Sequence, residues 1–433
     1  MLPGSRVPRD EKRVKRDGKR TGRGVALFWD ESFLWGIMAY HALRGCGLPF
    51  DLVRSADIRK GRMKDYSVLF VPGGWSLNKM KALGEKGVKI VRRFVHDGGT
   101  YIGFCGGAGL ATLDGMGLLN IKRRPTKYRV PSFSGRIRLK TTGHPLWEGI
   151  REPVFQAWWP PQFDVQDDSV KILATYQEAL PDSFTSDLNA GDISAAQAWE
   201  ELERIYGINL DPGRLVNDPA VLEGAYGKGK VILSLVHFDT PNDENGRQVL
   251  INLWSRCGSD TLQETRSHLR KRRAVPQAAS HPLVETCEAA VQGLIDLGIR
   301  NFLWFWRNPM LLQWRRGVRG LEYCTLFVMM REISESLGQS PLKNGPSTKR
   351  RLKKITRGLL YFTDRAKNLL VRERIAMQSG HITYERCDDP EIQQLREELF
   401  SSSKSYGGLF KVLIDEIDGL LFLMLAGEKN SST

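Results

Sequence analysis

The chain of 433 residues lacks several features that would place it in a familiar class. Its six cysteines include no CxxC pair and no repeating spacing, which excludes a disulfide framework and a zinc site of the usual ligand spacing. It has no GxxxxGK[ST] loop and no GxGxxG loop, so nucleotide use is not indicated. Charged residues interrupt every apolar run before it reaches the ~20 residues of a membrane span. We therefore expect a soluble, cytoplasmic protein that uses no cofactor and no metal.

Positive charge exceeds negative charge, with 64 Lys and Arg against 49 Asp and Glu. The first 24 residues hold nine basic and three acidic side chains and no apolar segment, so residues 1–23 are predicted to be a disordered basic tail and not a secretory signal. Two further basic clusters, at residues 268–273 and 349–354, are typical of solvated linkers and helix faces. Without interleaved aromatic residues, they predict only a weak, salt-sensitive contact with RNA, DNA or anionic lipid.

Residues 24–258 alternate short β-rich segments with helical patterns, which is typical of an α/β domain with a flavodoxin-like, mostly parallel sheet. The predicted strands cover residues 25–29, 50–53, 66–71, 100–104 and 230–236, and the predicted helices cover residues 32–43, 80–96, 195–206 and 246–256. Residues 177–218, rich in Asp, Asn, Pro and Gly, are predicted to form an insertion over one edge of the sheet. This insertion is either a lid or a peripheral segment without a functional role.

Helical periodicity replaces the strand pattern after residue 260. We predict a basic linker over residues 259–280, an all-α region over 281–427 and a short disordered tail over 428–433. Predicted helices cover residues 282–297, 310–337, 348–378, 390–401 and 409–425. The aromatic residues between Phe302 and Trp314 are expected to pack in the core or between domains.

Cys105 is notable for its position, because it follows the predicted strand 100–104 and precedes a helix-compatible stretch of small residues. A sharp turn at a helix N-terminus exposes a nucleophile and places it at the positive end of the helix dipole, which favours a thiolate. Glycines on both sides permit such a turn, as in the GxSxG elbow of serine hydrolases. The alternative is a small buried residue among glycines.

A second predicted strand, residues 230–236, leads into His237-Phe238-Asp239. A nucleophilic cysteine needs a base, and the base needs an orienting acid. Residues two apart in an extended segment point to the same side, so Asp239 can hold the ring of His237 while the other ring nitrogen faces Cys105.

Backbone amides for a developing oxyanion are expected from Gly106 together with Gly73 or Gly74, which follow the predicted strand 66–71. Ligands of open α/β sheets bind at the carboxyl ends of the strands. The cysteine, the histidine and these glycines are therefore expected to share one crevice.

These motifs together resemble the class I glutamine amidotransferase-like superfamily: Pro-Gly-Gly after a strand, a Gly-x-Cys-x-Gly elbow, and His-x-acid about 130 residues later. Within it, the chain is most similar to the domain at the N-terminus of fungal-type biotin–protein ligases and in free-standing bacterial relatives. The segments that carry the likeness are residues 71–74, 98–108, 143–149 and 229–239, and the resemblance covers residues 24–258.

The resemblance implies that Cys105 is the nucleophile, His237 the general base and Asp239 the orienting acid. It also implies that Gly74 and Gly106 stabilise the oxyanion, and that Trp158, Trp159 and Gln162 border the pocket. Asp239 stands where many relatives have Glu, which shortens its reach by one methylene. Nothing after residue 260 resembles a synthetase that accepts ammonia, and the chain has no biotin-ligase catalytic segment.

The enzyme hypothesis is therefore an amidase or amidotransferase-like hydrolase. Its Cys-His-Asp triad would attack an amide or acyl carbon of a small-molecule or peptide substrate and pass through a thioester. One alternative is an inactive binding or scaffold protein whose helical region docks to a protein partner. Another is a redox or electrophile sensor built on Cys105 alone. The presence of all three triad positions favours the enzyme.

Overall fold

The computed structural model describes residues 24–193, 196–257, 281–339, 346–380, 382–383, 387–401 and 405–427. The predicted basic tail, the basic linker with its cluster at 268–273, and the tail after residue 427 lie outside the described residues. The predicted domain boundaries therefore stay predictions.

The chain first alternates strands with helices. The strands are β1 (Gly24–Phe28), β2 (Asp51–Val53), β3 (Tyr66–Val71) and β4 (Thr100–Phe104), and the helices are α1 (Phe33–Gly45), α2 (Ser55–Arg59), α3 (Ser76–His96) and α4 (Gly106–Leu110). β1, β3 and β4 are almost wholly buried. This burial explains why their sequences are continuous apolar runs and do not alternate with polar residues.

A strand-rich segment follows. Its strands are β5 (Ile121–Arg123), β6 (Phe133–Thr141), β7 (Val154–Trp158), β8 (Phe163–Val165), β9 (Lys171–Ala179), β10 (Phe184–Thr185), β11 (Leu188–Asn189), β12 (Pro219–Tyr226) and β13 (Gly229–Ser234), and its helices are α5 (Ala196–Tyr206) and α6 (Glu244–Arg256). The residues predicted as an insertion contribute the end of β9, the short pair β10–β11 and α5.

Eleven strands form one sheet in the order β11-β10-β6-β9-β12-β13-β4-β3-β1-β2, with β7 paired to β6. The pairings among β13, β4, β3, β1 and β2 are parallel, which confirms the predicted α/β fold, and the remaining pairings are antiparallel. Ser234 of β13 lies opposite Phe104 of β4, and Val71 of β3 lies opposite Gly103. β3, β4 and β13 thus end at the same edge, called here the carboxyl edge, and this edge positions the candidate site.

The C-terminal region is helical as predicted. It contains α7 (Pro282–Arg300), α8 (Gly320–Gln339), α9 (Pro346–Ser379), α10 (Pro390–Phe400) and α11 (Gly408–Gly427), together with the strands β14 (Trp304–Asn308) and β15 (Leu311–Trp314). This β-hairpin is an addition to the predicted all-α region, and it replaces the first turns of the helix predicted from residue 310. Oδ1 of Asn308 accepts hydrogen bonds from the amides of Met310 and Leu311, at 2.8 and 3.0 Å, which closes the turn.

The C-terminal region packs on the α/β region near the carboxyl edge. The rings of Trp314 and Trp159 lie 5.1 Å apart. On α11, Nζ of Lys411 lies 3.0 Å from a carboxylate oxygen of Glu31, and Asp418 accepts a 2.6 Å hydrogen bond from Arg54. The aromatic and charged side chains at this contact therefore hold the helices beside the candidate site.

The basic cluster at residues 349–354 lies on α9, where Leu352 is buried and Lys353 is exposed. Nζ of Lys354 lies 2.7 Å from a carboxylate oxygen of Glu416 on α11. The cluster thus forms one face of a packed helix. In the part of the chain that the structure describes, no helix has both the length and the apolar character needed to cross a membrane.

Candidate active site

Cys105 occupies a strained turn between β4 and α4. Its φ is +47° and its ψ is −103°, a conformation that side-chain-bearing residues rarely adopt. The turn is anchored because the Cys105 amide donates to the carbonyl of Ser234 at 2.8 Å and its carbonyl accepts from the amide of Gly109 at 2.9 Å. Cys105 therefore occupies a tight strand-to-helix turn at the predicted position, and its role as a nucleophile stays a prediction.

Glycines around the elbow allow two backbones to touch. A Cβ on Gly106 would lie 1.7 Å from the carbonyl oxygen of Gly74, and one on Gly107 would lie 2.1 Å from that of Val71. No larger residue fits either position without moving the chain. The loop after β3 and the start of α4 thus meet backbone to backbone beside Cys105.

His237 and Asp239 follow β13 and are both fully buried. Nδ1 of His237 lies 2.9 Å from Oδ1 of Asp239, which is a hydrogen bond with the geometry expected for an orienting acid. Nε2 of His237 has no hydrogen-bond partner among the described residues. The Asp side chain, although one methylene shorter than Glu, therefore reaches the ring.

The charge state of His237 is set by these neighbours. Burial alone would lower its pKa, but the Asp239 carboxylate and, more weakly, Cys105 outweigh burial and raise the pKa of His237 to about 10. The Asp239 carboxylate thus favours the imidazolium form of the ring. Such a ring stabilises a thiolate beside it and can later give a proton to a leaving group.

Neighbouring groups fix the His237 ring in place. The ring of Trp35 lies 4.7 Å from it, and a Cβ on Gly73 would lie 2.9 Å from its Cε1 atom. The His237 amide donates to the carbonyl of Gln156 at 2.8 Å. Gly73 therefore provides room for the ring, and its role as an oxyanion donor stays a prediction.

Gly74 and Gly106 border the same pocket as Cys105. Gly74 has a φ of +110°, and no described residue accepts a hydrogen bond from its amide or from that of Gly106. Two amides without acceptors next to a thiol are what an oxyanion hole requires. Lys79 lies behind this loop, fully buried, with Nζ donating to the hydroxyl of Ser32, and burial lowers its pKa to about 7.

The pocket at Cys105 has a volume of about 140 Å³ and a mainly apolar lining. Its walls include four tryptophans, one arginine and one leucine from the C-terminal region: Trp35, Trp75, Trp158, Trp159, Arg123 and Leu321. Trp159 has a φ of +50°, a second strained residue beside the elbow. The Cys105 thiol lies 3.8 Å from the carbonyl oxygen of Trp158.

Sequence reasoning found Trp158 and Trp159 but missed other parts of this pocket. Trp35 and Trp75 follow β1 and β3, so their proximity to strand ends at the carboxyl edge was a usable signal. No local signal identified Leu321 of α8. Gln162, expected at the pocket, is buried elsewhere and accepts a 2.7 Å hydrogen bond from the amide of Val130.

Within the described ranges, no cluster of three or more His, Cys, Asp or Glu side chains could hold a metal ion. The polar groups at the pocket include instead the thiol, the backbone amides, one guanidinium and the hydroxyl of Ser76, which donates to the carbonyl of Gly106. The chemistry available there is nucleophilic attack by sulfur, proton transfer by imidazole and binding of a negative charge.

Comparison of the sequence with known protein families finds one match. Residues 58–114 match the family described as biotin-protein ligase, N terminal. These residues include the glycines after β3 and the Cys105 elbow, whereas His237 and Asp239 lie outside them. A search of curated proteins finds no match.

Several solved structures share low similarity with the chain. A glutamine amidotransferase is 18% identical, over 54% of this chain and 97% of that one, with a TM-score of 0.34. A glutamine amidotransferase from Thermotoga maritima is 11% identical, over 57% and 89%, with a TM-score of 0.32. A β-galactosidase from Bacillus circulans sp. alkalophilus is 15% identical, over 54% and 31%, with a TM-score of 0.35. The resemblance drawn from the sequence is thus confirmed over residues 58–114, where the chain is similar to the N-terminal domain of biotin–protein ligases.

Proposed function

We propose that the protein is a cysteine-dependent amidase or amidotransferase-like hydrolase. One observation carries this proposal: the strained turn at Cys105 and a buried His237–Asp239 pair lie at the same edge of the sheet. The Nδ1–Oδ1 distance within the pair is 2.9 Å. A structural cysteine needs neither the strain nor the pair.

In the proposed reaction, sulfur of Cys105 bonds to the carbonyl carbon of an amide, and the electron pair of the C=O bond moves to the oxygen. The amides of Gly74 and Gly106 donate to this oxyanion. His237, oriented by Asp239, gives its proton to the leaving amine as the C–N bond breaks, which leaves a thioester on Cys105. Water then gives a proton to His237 as its oxygen bonds to the thioester carbon, and the C–S bond breaks to release a carboxylic acid and the Cys105 thiolate.

The pocket restricts the substrate. A volume of about 140 Å³ between tryptophan side chains accommodates a short acyl group and not a folded protein segment. The proposed substrates are therefore small amides or the ends of peptides.

The test is ammonia release from a panel of small primary amides, L-glutamine included, with the purified full-length protein. We expect Cys105→Ala to abolish release and His237→Ala to reduce it by about 10²-fold or more. Cys46→Ala and Cys257→Ala are the matched controls, and both should keep full activity.

Equal loss of activity in Cys46→Ala would contradict the assignment of the nucleophile. Release that persists in Cys105→Ala would do the same. An absence of turnover with every amide, together with an unreactive Cys105, would favour the alternative of a binding or scaffold protein.

A further inference from the structure

The pocket has a charge that the proposed mechanism does not use. Lys122, Arg123 and Arg124 are consecutive on and after β5, and they have different surroundings. Arg124 is paired with two carboxylates, Asp164 at 3.0 Å and Asp218 at 2.8 Å. Arg123 lines the Cys105 pocket and forms no ion pair with any described residue.

Arg129, which follows the short helical turn Thr126–Tyr128 in the same segment, carries a second guanidinium. Arg129 is only 7% exposed, and its described hydrogen bond is to the hydroxyl of Thr126, at 3.1 Å. Its Nε atom has no partner among the described residues. A buried arginine normally pairs with a carboxylate, and an unsatisfied buried donor is costly.

The electrostatics connect these two arginines with the nucleophile. Burial and, to a smaller extent, the positive charge of Arg123 lower the pKa of Arg129 to about 10, while a negative charge on Cys105 would act in the opposite direction. The two positive charges therefore act against one another, and neither guanidinium forms an ion pair with a described carboxylate. An anion placed between them would remove this repulsion and use the spare donors.

We propose that Arg123 and Arg129 form an anion-binding subsite of the Cys105 pocket, so that the substrate carries a carboxylate close to the carbonyl that sulfur attacks. The inference rests on the proposed function, because it names the substrate class of the same site. The tryptophan walls would hold the apolar part of that substrate, and the arginine pair would select the acid over its neutral counterpart.

Two alkylating reagents that differ in one charge test this subsite without a known substrate. Iodoacetate carries a carboxylate and iodoacetamide carries a neutral amide at the same place. In both reactions the Cys105 thiolate bonds to the methylene carbon, the carbon–iodine bond breaks and iodide leaves. The measured quantity is the ratio of the two second-order rates at Cys105, read by mass spectrometry at low, fixed ionic strength.

We expect Arg123→Gln to lower the iodoacetate-to-iodoacetamide ratio by about tenfold, the value of one charge-assisted contact. Lys122→Gln is the matched control, because it removes the same charge from the adjacent residue of β5, whose side chain points to the opposite face. That control should keep the wild-type ratio. Arg129→Gln should lower the ratio as well, and if that variant fails to fold, Arg123→Gln alone decides.

The outcomes separate the two proposals. An unchanged ratio in Arg123→Gln, with Cys105 still the first cysteine labelled by iodoacetamide, would overturn the anion subsite and leave the nucleophile assignment standing. An equal fall in Lys122→Gln would also overturn it, since general surface charge would then explain the ratio. If iodoacetamide labels Cys105 no faster than the other cysteines, the proposed function itself is wrong.

Discussion

Two buried ion pairs lie in different regions of the molecule. In the α/β region, His237 and Asp239 are fully buried and their bonded atoms lie 2.9 Å apart. In the helical region, Arg396 of α10 and Glu373 of α9 are 2% exposed, with bonded atoms 2.8 Å apart. Burial, charge and distance do not distinguish the two pairs.

The surroundings of the cations do distinguish them. Arg396 also donates to the carbonyls of Thr383 and Gly317, at 2.9 and 2.8 Å, so its donors tie separate segments of the helical region together. Among the described residues, Nε2 of His237 has no partner at hydrogen-bonding distance and angle, and the strained Cys105 lies near enough to raise the pKa of the ring. Spare hydrogen-bonding capacity beside a nucleophile, and not burial of charge, is what marks a candidate catalytic pair.

The largest expected effect comes from breaking the pair in the helical region. Glu373→Ala leaves the Arg396 guanidinium buried without its carboxylate, so we expect the free energy of unfolding to fall by about 3–5 kcal/mol. Chemical denaturation measures this change. Glu398→Ala, which breaks the more exposed pair with Arg365, is the control and should cost less than about 1 kcal/mol.

In the same Glu373→Ala variant, where it remains folded, Cys105 should be alkylated by iodoacetamide at the wild-type rate. A loss of Cys105 reactivity as large as that in a triad variant would show that the two pairs do not have separate roles.

Breaking the pair in the α/β region should affect reactivity more than stability. Asp239→Asn keeps the shape but removes the charge that raises the pKa of His237, so burial then favours the neutral ring. We expect the rate of Cys105 alkylation at pH 7 to fall by at least about tenfold, since the thiolate loses its imidazolium. Asp243→Asn is the control, because Asp243 caps α6 through the amide of Gly246 and an Asn side chain can keep that hydrogen bond. An equal fall in both variants would contradict the role of Asp239.

The two pairs should also differ in their pH dependence. The pKa of His237 is raised from 6.5 to about 10, so the stability it contributes is complete below pH 6.5 and is lost as the pH rises through about 10. The pKa of Glu373 is raised from 4.5 to about 7 by burial, so its contribution is complete below pH 4.5 and is lost as the pH rises through about 7.

Denaturation at a series of pH values checks this difference. His237→Gln should flatten the stability curve above pH 6.5, and Glu373→Gln should flatten it between pH 4.5 and 7. If Glu373→Gln flattened the curve above pH 7, or His237→Gln flattened it below pH 6.5, the assignment of the two pKa shifts would be wrong.

The smallest expected effect concerns the contact between the regions. Trp314 packs on Trp159, a wall of the pocket, with ring centroids 5.1 Å apart. Trp314→Ala should let a bulky maleimide reach Cys105 a few-fold faster while the rate with iodoacetamide stays constant. Phe327→Ala, which removes an aromatic contact with Trp306 away from the pocket, serves as the control. An unchanged rate with the bulky reagent would show that the helical region does not limit access to the site.

Much of the α/β region could be predicted from the sequence because its strands are buried and their ends carry the site. The strand predicted at residues 66–71 is β3 without a change of bounds, and the one at 100–104 is β4. Parallel strands end at the same edge, so the positions of Cys105 and His237 after predicted strands were enough to expect both at one edge of the sheet.

The rest of the site depends on packing between distant segments. Arg123 reaches the pocket from β5, which pairs with β8 outside the main sheet, and Leu321 reaches it from α8. The hairpin β14–β15 was missed because its aromatic strands are short enough to fit a helical or a strand period. A single sequence contains no local pattern for such contacts.

The most direct test of the account is the alkylation of each cysteine by iodoacetamide across pH 6 to 9 in wild type and His237→Gln. Burial raises the pKa of Cys46, Cys287 and Cys324, and that of Cys257 to about 11. We predict that Cys105 is labelled before these four and that His237→Gln removes its advantage. Labelling of Cys105 no faster than Cys46, or equally fast in His237→Gln, would contradict the proposed Cys–His pair.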